Sequence, residues 1–275
     1  MKEALSYDDV LLVPKHSNIE SRSQVDLKSV LGKNLEFDTP IIASPMDTIS
    51  GEEMAIKLSQ LGGVAIIHRY NSIVEQSLIV RAIKRAGERV GAAVGTSGDY
   101  MNRVAALNSA GVDFICIDVA HGHHSMVHEA IKAIRATYGT AIHIMAGNVA
   151  TAEGFEALQA WGADSIRIGI GGGSICSTRI QTGHGVPNLT AIMECARVAT
   201  TATLIADGGI KNAGDAVKAL AAGADFVMLG SMLAGTDEAP GDIVESPLYC
   251  GKFKSYRGMA SREAQEEWRG KSSAP

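Results

Sequence analysis

Residues 213–230, AGDAVKALAAGADFVMLG, contain one helix followed directly by one strand. Ala, Val and Leu recur at helical spacing over 213–222, and the glycine at 223 suits the left-handed conformation that commonly ends a helix. After its aspartate, the run 225–230 is continuously apolar, as expected for a strand buried on both faces of a parallel sheet. This unit predicts an α/β fold that alternates strands and helices.

The same unit recurs along the chain. Gly-Ala-Asp or Gly-Val-Asp steps join a helical segment to an apolar run at 111–113, 162–164 and 223–225. Eight apolar runs are candidate strands, at 40–44, 63–68, 90–95, 113–118, 142–147, 164–169, 202–207 and 225–230. Eight parallel strands alternating with helices predict a (β/α)8 TIM barrel of the α/β class. An open, doubly wound sheet is the alternative, but such sheets usually have fewer strands.

The length of 275 residues fits one barrel domain, so we expect 1–275 to form a single catalytic domain. Residues 1–39 are expected to be a lead-in segment that covers one end of the barrel. No clear eighth helix follows the last predicted strand, and the chain closes with the polar ASREAQEEWRGKSSAP. Residues 236–275 are therefore expected to be a truncated finger or flap segment, with the last barrel helix missing.

Composition excludes several classes of protein. The net charge is -5 and basic residues are not clustered, which argues against a nucleic-acid partner. No apolar run approaches the roughly 18 residues that cross a bilayer, and the start MKEALSYDD lacks the apolar core of a secretory signal. The cysteines lack paired spacing, which favours free thiols in a reduced, cytoplasmic setting. They are Cys116, Cys176, Cys195 and Cys250.

Glycine-bearing pairs follow the last three predicted strands, where TIM barrels often bind a phosphate. Glycine lets backbone N–H groups approach an anion closely, and serine adds a hydroxyl donor. The pairs are Gly173–Ser174, Gly208–Gly209 and Gly230–Ser231. The chain has neither the lysine of a P-loop nor a complete G-x-G-x-x-G pattern at these positions. The alternative is that the glycines only form tight turns.

The loop GIGGGSICSTR, residues 169–179, contains a candidate nucleophile, Cys176. Backbone N–H groups and Arg179 would favour its thiolate form. Thr178 could hydrogen-bond a leaving group or an attacking water, or could be an ordinary loop hydroxyl. Cys116 lies within a predicted strand and Cys195 within a predicted helix, so both are expected to be buried and structural.

Two aspartates and a histidine cluster also follow predicted strands. Asp118 ends the fourth strand, where it could hold a hydroxyl or an amide, and Asp207 ends the seventh, where one carboxylate could accept from both hydroxyls of a ribose. His121, His123 and His124 invite a metal site, but no cysteine or carboxylate ligand lies at a suitable spacing nearby. We therefore expect no metal at these histidines.

Five motifs together resemble the inosine-monophosphate dehydrogenase / guanosine-monophosphate reductase family. They are SPMDT (44–48), GNVAT (147–151), GIGGGSICSTR (169–179), DGGIKNAGDAVKALAAGADFVMLGSMLAG (207–235) and YRGM (256–259). The likeness extends from YDDVLLVPKHS to about Trp268, nearly the whole chain. It implies a (β/α)8 barrel that binds a purine 5′-monophosphate and a nicotinamide cofactor, with Cys176 forming a covalent bond to purine C2.

The resemblance also implies roles for other residues. Those that would hold the phosphate are Ser174, Gly209, Gly230 and Ser231, and Asp207 would hold the ribose. Those that would line the nucleotide are Ser44, Met46, Gly258 and Met259. Asp118 and Asn148 would face the cofactor and the reacting centre. Carbonyls of Gly169, Gly171 and Cys176 match a loop that binds a monovalent cation, K⁺, although the family usually has Pro where this chain has Gly172. A homotetramer is implied as well.

The two branches of the family differ at several positions. Dehydrogenases usually carry a regulatory insertion after the second helix and an Arg-Tyr pair beyond YRGM that activates water, and this chain has neither within 68–99 or 260–275. Conversely, Pro45 and Arg257 are dehydrogenase-like. Because the water-activating pair is a mechanistic requirement, the resemblance favours GMP reductase.

That reaction is NADPH-dependent reductive deamination of GMP to IMP and ammonia, with Cys176 as nucleophile and Thr178 assisting. The first alternative is an NAD-dependent IMP dehydrogenase that converts IMP to XMP. A second alternative, of another class, is an inactive barrel that only binds nucleotides. A barrel aldolase or isomerase is disfavoured, because no lysine ends a predicted strand to form a Schiff base.

Overall fold

The eight predicted strands form a closed parallel barrel in the computed structural model, which describes residues 3–32, 34–245 and 251–269. Two short strands, β1 (Ser29–Gly32) and β2 (Leu35–Phe37), precede it. The barrel strands are β3 (Ile41–Ala43), β4 (Val64–Ile67), β5 (Val90–Val94), β6 (Phe114–Asp118), β7 (His143–Val149), β8 (Ser165–Ile168), β9 (Thr203–Asp207) and β10 (Phe226–Leu229). Each pairs with the next, and β10 pairs with β3 to close the barrel. The (β/α)8 prediction is confirmed.

Helices follow the barrel strands along the chain. They are α1 (Glu52–Gln60), α2 (Ile73–Arg85), α3 (Tyr100–Ala110), α4 (Ser125–Tyr138), α5 (Ala152–Trp161), α6 (Thr178–Thr182), α7 (Asn188–Ala196), α8 (Ala213–Ala221) and α9 (Arg262–Arg269). Short 3-10 helices occur at Tyr7–Asp9 and Arg22–Gln24, and an antiparallel pair, β11 (Val244–Glu245) with β12 (Lys252–Phe253), follows the barrel. None of the helices in the described ranges is long and apolar enough to cross a membrane.

The three Gly-x-Asp steps share one geometry. Their glycines have φ between 88° and 113°, the left-handed conformation predicted from the sequence. Each following aspartate accepts a hydrogen bond, at 2.7–2.8 Å, from a backbone N–H at the start of the preceding strand: Asp113 from Val90, Asp164 from Ile144 and Asp225 from Leu204. The same short motif thus ends a helix and ties two adjacent strands together.

The lead-in segment reaches both ends of the barrel, where the sequence predicted one. At the amino-terminal end, Phe37 of β2 packs edge-on against Phe226, with ring centroids 6.0 Å apart. At the carboxyl-terminal end, Tyr7 is buried beside Gly209, and Asp8 forms an ion pair with Lys211. The 3-10 helix at Tyr7–Asp9 contacts the carboxyl-terminal end of the barrel and β2 contacts the amino-terminal end, so the segment runs from one end of the barrel to the other.

A helix that the sequence analysis did not predict, α9, follows the eighth strand. Residues 262–269 form α9, in which Ala264 is buried and Trp268, four residues later and on the same face, stacks on Tyr70 with centroids 5.8 Å apart. Because Tyr70 follows β4, this contact places α9 at the carboxyl-terminal end of the barrel. The many charged residues of this segment concealed its apolar face in the sequence.

Candidate active site

The carboxyl-terminal ends of the strands surround a cavity of about 340 Å³. The residues expected to be catalytic or to bind substrate, cofactor or cation line it, namely Ser44, Met46, Asp118, Asn148, Gly169, Gly171, Ser174, Cys176, Thr178, Asp207, Gly209, Gly230, Ser231, Gly258 and Met259. The hydroxyl oxygen of Ser44 is buried and has no hydrogen-bond partner within the described residues, so it is available to a ligand. The convergence follows from the fold, since parallel strands all end at this edge.

The cysteine loop runs from the end of β8 to the start of α6. Gly169 and Gly171 have φ of 140° and 86°, and a Cβ at Gly169 would lie only 1.9 Å from the carbonyl oxygen of Asp207. Cys176 donates its N–H to the carbonyl of Gly173 at 3.1 Å in a tight turn just before α6. The loop therefore needs glycine where its backbone approaches the neighbouring strand end.

Cys176 differs from the other cysteines that the structure describes. It is partly exposed and lines the cavity, whereas Cys116 in β6 and Cys195 in α7 are fully buried, as predicted. Burial raises the pKa of both buried thiols to about 12. Cys250 lies outside the described residues. Of the described thiols, Cys176 is thus the one placed to react with a ligand.

Three glycine-bearing loops converge on one side of the cavity, and the hydroxyl of Tyr256 lies among them. It hydrogen-bonds with the side chains of Ser174 and Ser231, and these bonds oppose the burial that raises its pKa. A Cβ at Gly230 would lie 3.0 Å from this hydroxyl, and a Cβ at Gly208 would lie 3.1 Å from the N–H nitrogen of Gly173. Three hydroxyl groups and the backbone of the glycine loops thus lie together on this side of the cavity, an arrangement that suits the binding of an anion.

Tyr256 was missed as a site residue, although it begins the YRGM motif quoted above. Its neighbours in the cavity come from loops distant in sequence, so only the fold reveals the contact.

A buried arginine on β8, also missed, organises the base of the cavity. Arg167 donates to Asp118 Oδ1 at 2.6 Å and to Asp207 Oδ2 at 2.8 Å, and only 7% of its side chain is exposed. Burial alone would lower the pKa of Arg167, but the charges of Asp207 and Asp118 outweigh it and the pKa lies above its usual value. The signal in the sequence was an arginine between the two isoleucines of the predicted strand DSIRIG.

Asn148 connects the cysteine loop with Asp207. Its Nδ2 donates to the carbonyl of Gly169 at 2.8 Å and to Asp207 Oδ2 at 2.7 Å. Oδ2 of Asp207 thus receives bonds from both Asn148 and Arg167, which leaves Oδ1 available to a ligand. The carboxylate is held in one orientation, as a residue that recognises ribose hydroxyls would need to be.

Sequence comparison identifies the family to which this architecture belongs. A sequence model described as the IMP dehydrogenase / GMP reductase domain matches residues 4–274. The chain belongs to the IMP dehydrogenase / GMP reductase family. The resemblance inferred from the motifs is therefore confirmed at the level of the family, whose members are purine nucleotide oxidoreductases.

Individual relatives support the same assignment. An inosine-5′-monophosphate dehydrogenase of Nitrosopumilus maritimus is 33% identical over 390 aligned residues, covering 96% of this chain and 81% of the relative. One from Borreliella burgdorferi is 38% identical over 318 residues, covering 96% and 78%. One from Aquifex aeolicus is 33% identical over 392 residues, covering 95% and 79%. All three bear the dehydrogenase name, which fits the alternative interpretation above better than the reductase.

These alignments are longer than the 275-residue chain, so the relatives contain segments with no counterpart here. The structure agrees with the predicted lack of the family's regulatory insertion, because only residues 86–89 separate α2 from β5.

Two motifs of the family that are distant in sequence contact each other. Arg257 of YRGM donates from Nε to Asp47 Oδ2 of SPMDT at 3.0 Å, and the N–H of Asp47 donates to the sulfur of Met259 at 3.3 Å. This contact holds the segment 256–259 against the loop after β3. Gly258 and Met259 reach the cavity as a result.

Arg179 lies elsewhere than predicted. It lines a second cavity, of about 430 Å³, behind the cysteine loop, and is not among the residues lining the first. The predicted stabilisation of a Cys176 thiolate by its charge therefore has no support in the geometry. Sequence adjacency was misleading because the turn into α6 directs the two side chains to different cavities.

The histidines after β6 make contacts of their own. His124 accepts a hydrogen bond at 3.1 Å from the N–H of Met126 and so caps α4, while His123 and His128 pack against the ring of Trp161. Within the ranges that the structure describes, no three His, Cys, Asp or Glu side chains converge as a metal site.

The resemblance implies that carbonyls of Gly169, Gly171 and Cys176 bind K⁺. The carbonyl of Gly169 already accepts from Asn148, which leaves one lone pair to offer a cation. The site therefore fits K⁺ only if the carbonyl oxygen of Gly169 binds the ion and accepts the hydrogen bond from Asn148 at the same time.

Proposed function

We propose that the protein is an NAD-dependent IMP dehydrogenase that oxidises IMP to XMP through a covalent intermediate on Cys176. The observation that carries this proposal is one cavity that contains a partly exposed thiol, a fixed carboxylate and a cluster of hydroxyls and glycines. The names of the relatives and the contact between Asp47 and the dehydrogenase-like Arg257 favour this branch.

The 5′-phosphate would bind the hydroxyls of Ser174, Ser231 and Tyr256 together with the N–H groups of the glycine loops. Asp207 would accept hydrogen bonds from the ribose through Oδ1, because Arg167 and Asn148 both bind Oδ2. The purine would then extend towards Cys176, and Met46 and Met259 would line its path. Such fixed positioning converts attack by the thiol into an intramolecular step.

Chemistry would occur at C2 of the purine. The Cys176 thiol would lose its proton as its sulfur adds to C2, and the C2 hydrogen would leave as hydride. The chemistry that NAD⁺ would supply, when bound beside C2, is acceptance of that hydride. Asp118 and Asn148 would face the cofactor. Water would then add its hydroxyl to C2 as the C2–S bond breaks, and its remaining proton would pass to the Cys176 sulfur, which gives XMP and the free thiol. Thr178, at the start of α6, would hydrogen-bond this water.

GMP reductase is the second candidate, because residues 260–275 contain no Arg-Tyr pair of the kind that activates water in dehydrogenases. In that reaction Cys176 would add to C2 of GMP and ammonia would leave; a hydride supplied by NADPH would then reach C2 as the C2–S bond breaks and the sulfur takes up a proton, which gives IMP. This sequence of steps needs no water.

Two assays distinguish the candidates. The purified protein is incubated with IMP and NAD⁺, and separately with GMP and NADPH, while the absorbance of the reduced nicotinamide is followed. NADH formation in the first assay supports the proposal. NADPH oxidation in the second assay, without NADH formation in the first, would show that the protein is a GMP reductase and not an IMP dehydrogenase. Tight binding of IMP or GMP without turnover in either assay supports a barrel that only binds nucleotides. We also propose a homotetramer, which light scattering coupled to gel filtration would test.

A further inference from the structure

Asn188, the first residue of α7, lies where the cysteine loop meets the loop that follows β9. It is only 4% exposed, and its Nδ2 donates to the carbonyl of Gly208 and, at 3.4 Å, to that of Asp207. Asn188 is among the residues that line the second cavity, and its Oδ1 is buried and has no hydrogen-bond partner among the described residues. The amide is thus held by the β9 loop through its nitrogen alone.

The cysteine loop approaches this amide at Gly172. A Cβ placed on Gly172 would lie 2.2 Å from Oδ1, 2.3 Å from Nδ2 and 2.5 Å from Cγ of Asn188, and real Cβ atoms essentially never come within 3.0 Å of another atom. Gly172 is not among the glycines with positive φ, so its backbone conformation does not demand glycine. The amide of Asn188 therefore occupies the space that a side chain at 172 would need.

The amide contacts glycines of both loops. Besides Gly172, a Cβ on Gly209 would lie 3.1 Å from Nδ2, and one on Gly169 would lie 3.7 Å from it. All three glycines line the first cavity, the one that Cys176 lines. Asn188 consequently lies between the loop that carries Cys176 and the loop that would bind phosphate, and its amide sets the distance between them.

We propose that Asn188 is a positioning residue for Cys176 and that Gly172 is its obligatory counterpart. The amide side chain of Asn188, at the start of α7, fills the space beside Gly172 and so fixes the position of the cysteine loop at this glycine. The proposal rests on the proposed function only in that Cys176 reacts with the purine of a bound 5′-monophosphate.

A double-mutant cycle tests the pair. The proteins are the wild type, Gly172→Ala, Asn188→Ala and the double variant. The measurements are the rate of Cys176 alkylation by iodoacetamide, followed by peptide mass spectrometry, and the Kd for IMP. Gly235→Ala is the matched control, because a Cβ there has nothing within 4 Å and its φ is not left-handed.

Gly172→Ala alone is expected to change the alkylation rate and weaken IMP binding, each by about tenfold, because the methyl group displaces the loop. The double variant should return to within about threefold of Asn188→Ala alone, since the clash is gone. Wild-type behaviour of Gly172→Ala, or effects that simply multiply in the double variant, would overturn the proposal.

Asn188→Asp separates positioning from general stability. It keeps the size of the side chain but adds a negative charge beside the phosphate loop. We expect a KM for IMP raised about tenfold or more, with a smaller change in kcat and a melting temperature near that of the wild type. A lowered melting temperature with unchanged KM and alkylation rate would show a merely structural role. If neither oxidoreductase assay gives turnover, the alkylation rate and the Kd for IMP still test the positioning role of Asn188. The failure of the proposed activity can therefore be distinguished from the failure of the positioning proposal.

Discussion

Arg167 Nη2 lies 2.8 Å from Asp207 Oδ2, and the exposed fractions of the two side chains are 7% and 15%. The same guanidinium binds Asp118, so a single buried cation pairs with two carboxylates that reach the cavity from different strands. Removing one partner of such a buried pair leaves an uncompensated charge, which is far more costly than removing an exposed pair.

Arg167→Met should therefore destabilise the protein by about 3–5 kcal/mol, because both aspartates lose their cation. Urea unfolding monitored by circular dichroism measures the loss. Lys211→Met, which breaks the exposed ion pair with Asp8, is the control and should leave the unfolding free energy nearly unchanged. Equal stability of Arg167→Met and the wild type would show that the cluster is not held together as described.

Cys176→Ala should abolish turnover in whichever of the two oxidoreductase assays the wild type is active, while the Kd for the monophosphate changes less than about threefold. The reason is that the sulfur forms the covalent bond but contributes little to binding the phosphate and ribose. Cys195→Ala removes a buried thiol outside the cavity and should retain activity. Residual activity of Cys176→Ala near that of the wild type would refute its role as nucleophile.

Tyr256→Phe removes the hydroxyl that lies between Ser174 and Ser231. Because a hydrogen bond to a charged group contributes about 1.5–3 kcal/mol, KM for the nucleotide should rise roughly tenfold to a hundredfold with kcat largely kept. Steady-state kinetics measure both constants. Tyr138→Phe, at the end of α4 and outside the cavity, serves as the control. A fall in kcat without a rise in KM would argue against a role in phosphate binding.

His143 predicts a pH dependence of stability. Burial lowers its pKa from 6.5 to about 4, although the charge of Asp164 opposes the shift. The unfolded chain therefore binds a proton that the folded chain does not between pH 6.5 and 4, and folding stability falls as the pH is lowered through this window. The slope is at most about 1.4 kcal/mol per pH unit.

His143→Gln should reduce this slope, measured as the difference in unfolding free energy between pH 7 and pH 5. The variant serves as its own reference, because any loss of packing against Phe114 acts equally at both pH values. An unchanged difference would assign the acid sensitivity to other groups, among them His68, whose pKa is also lowered by burial.

The barrel and the residues that line its cavity are predictable from the sequence for a physical reason. Strands buried on both faces are read directly as apolar runs, and the residues that follow them must meet at one edge of the barrel. Asp118 and Asp207, for example, are 89 positions apart but both end strands, so their convergence followed from the fold. The apolar runs predicted the strands, and the barrel architecture predicted that the residues after those strands meet.

Residues that act through a distant partner were missed. Arg167 was read as part of a strand because nothing local shows that Asp118 and Asp207 lie beside it. Asn188 lies at the start of a helix, 16 positions after the glycine whose side chain it replaces. The helix α9 was missed because its apolar face consists of few residues and needs Tyr70 to pack against. Such pairings depend on geometry that no local pattern contains.

The aspartates of the Gly-x-Asp steps bind strand starts, at the end of the barrel opposite the thiol and the phosphate loops. Hydrogen bonds that fix the strand register thus lie at the amino-terminal end of the barrel, and the candidate active site lies at the carboxyl-terminal end. Substitutions among the mouth loops can therefore redirect the reaction without loosening the scaffold. This division of labour gives a structural reason why a single family can contain both an oxidation that consumes water and a reduction that releases ammonia.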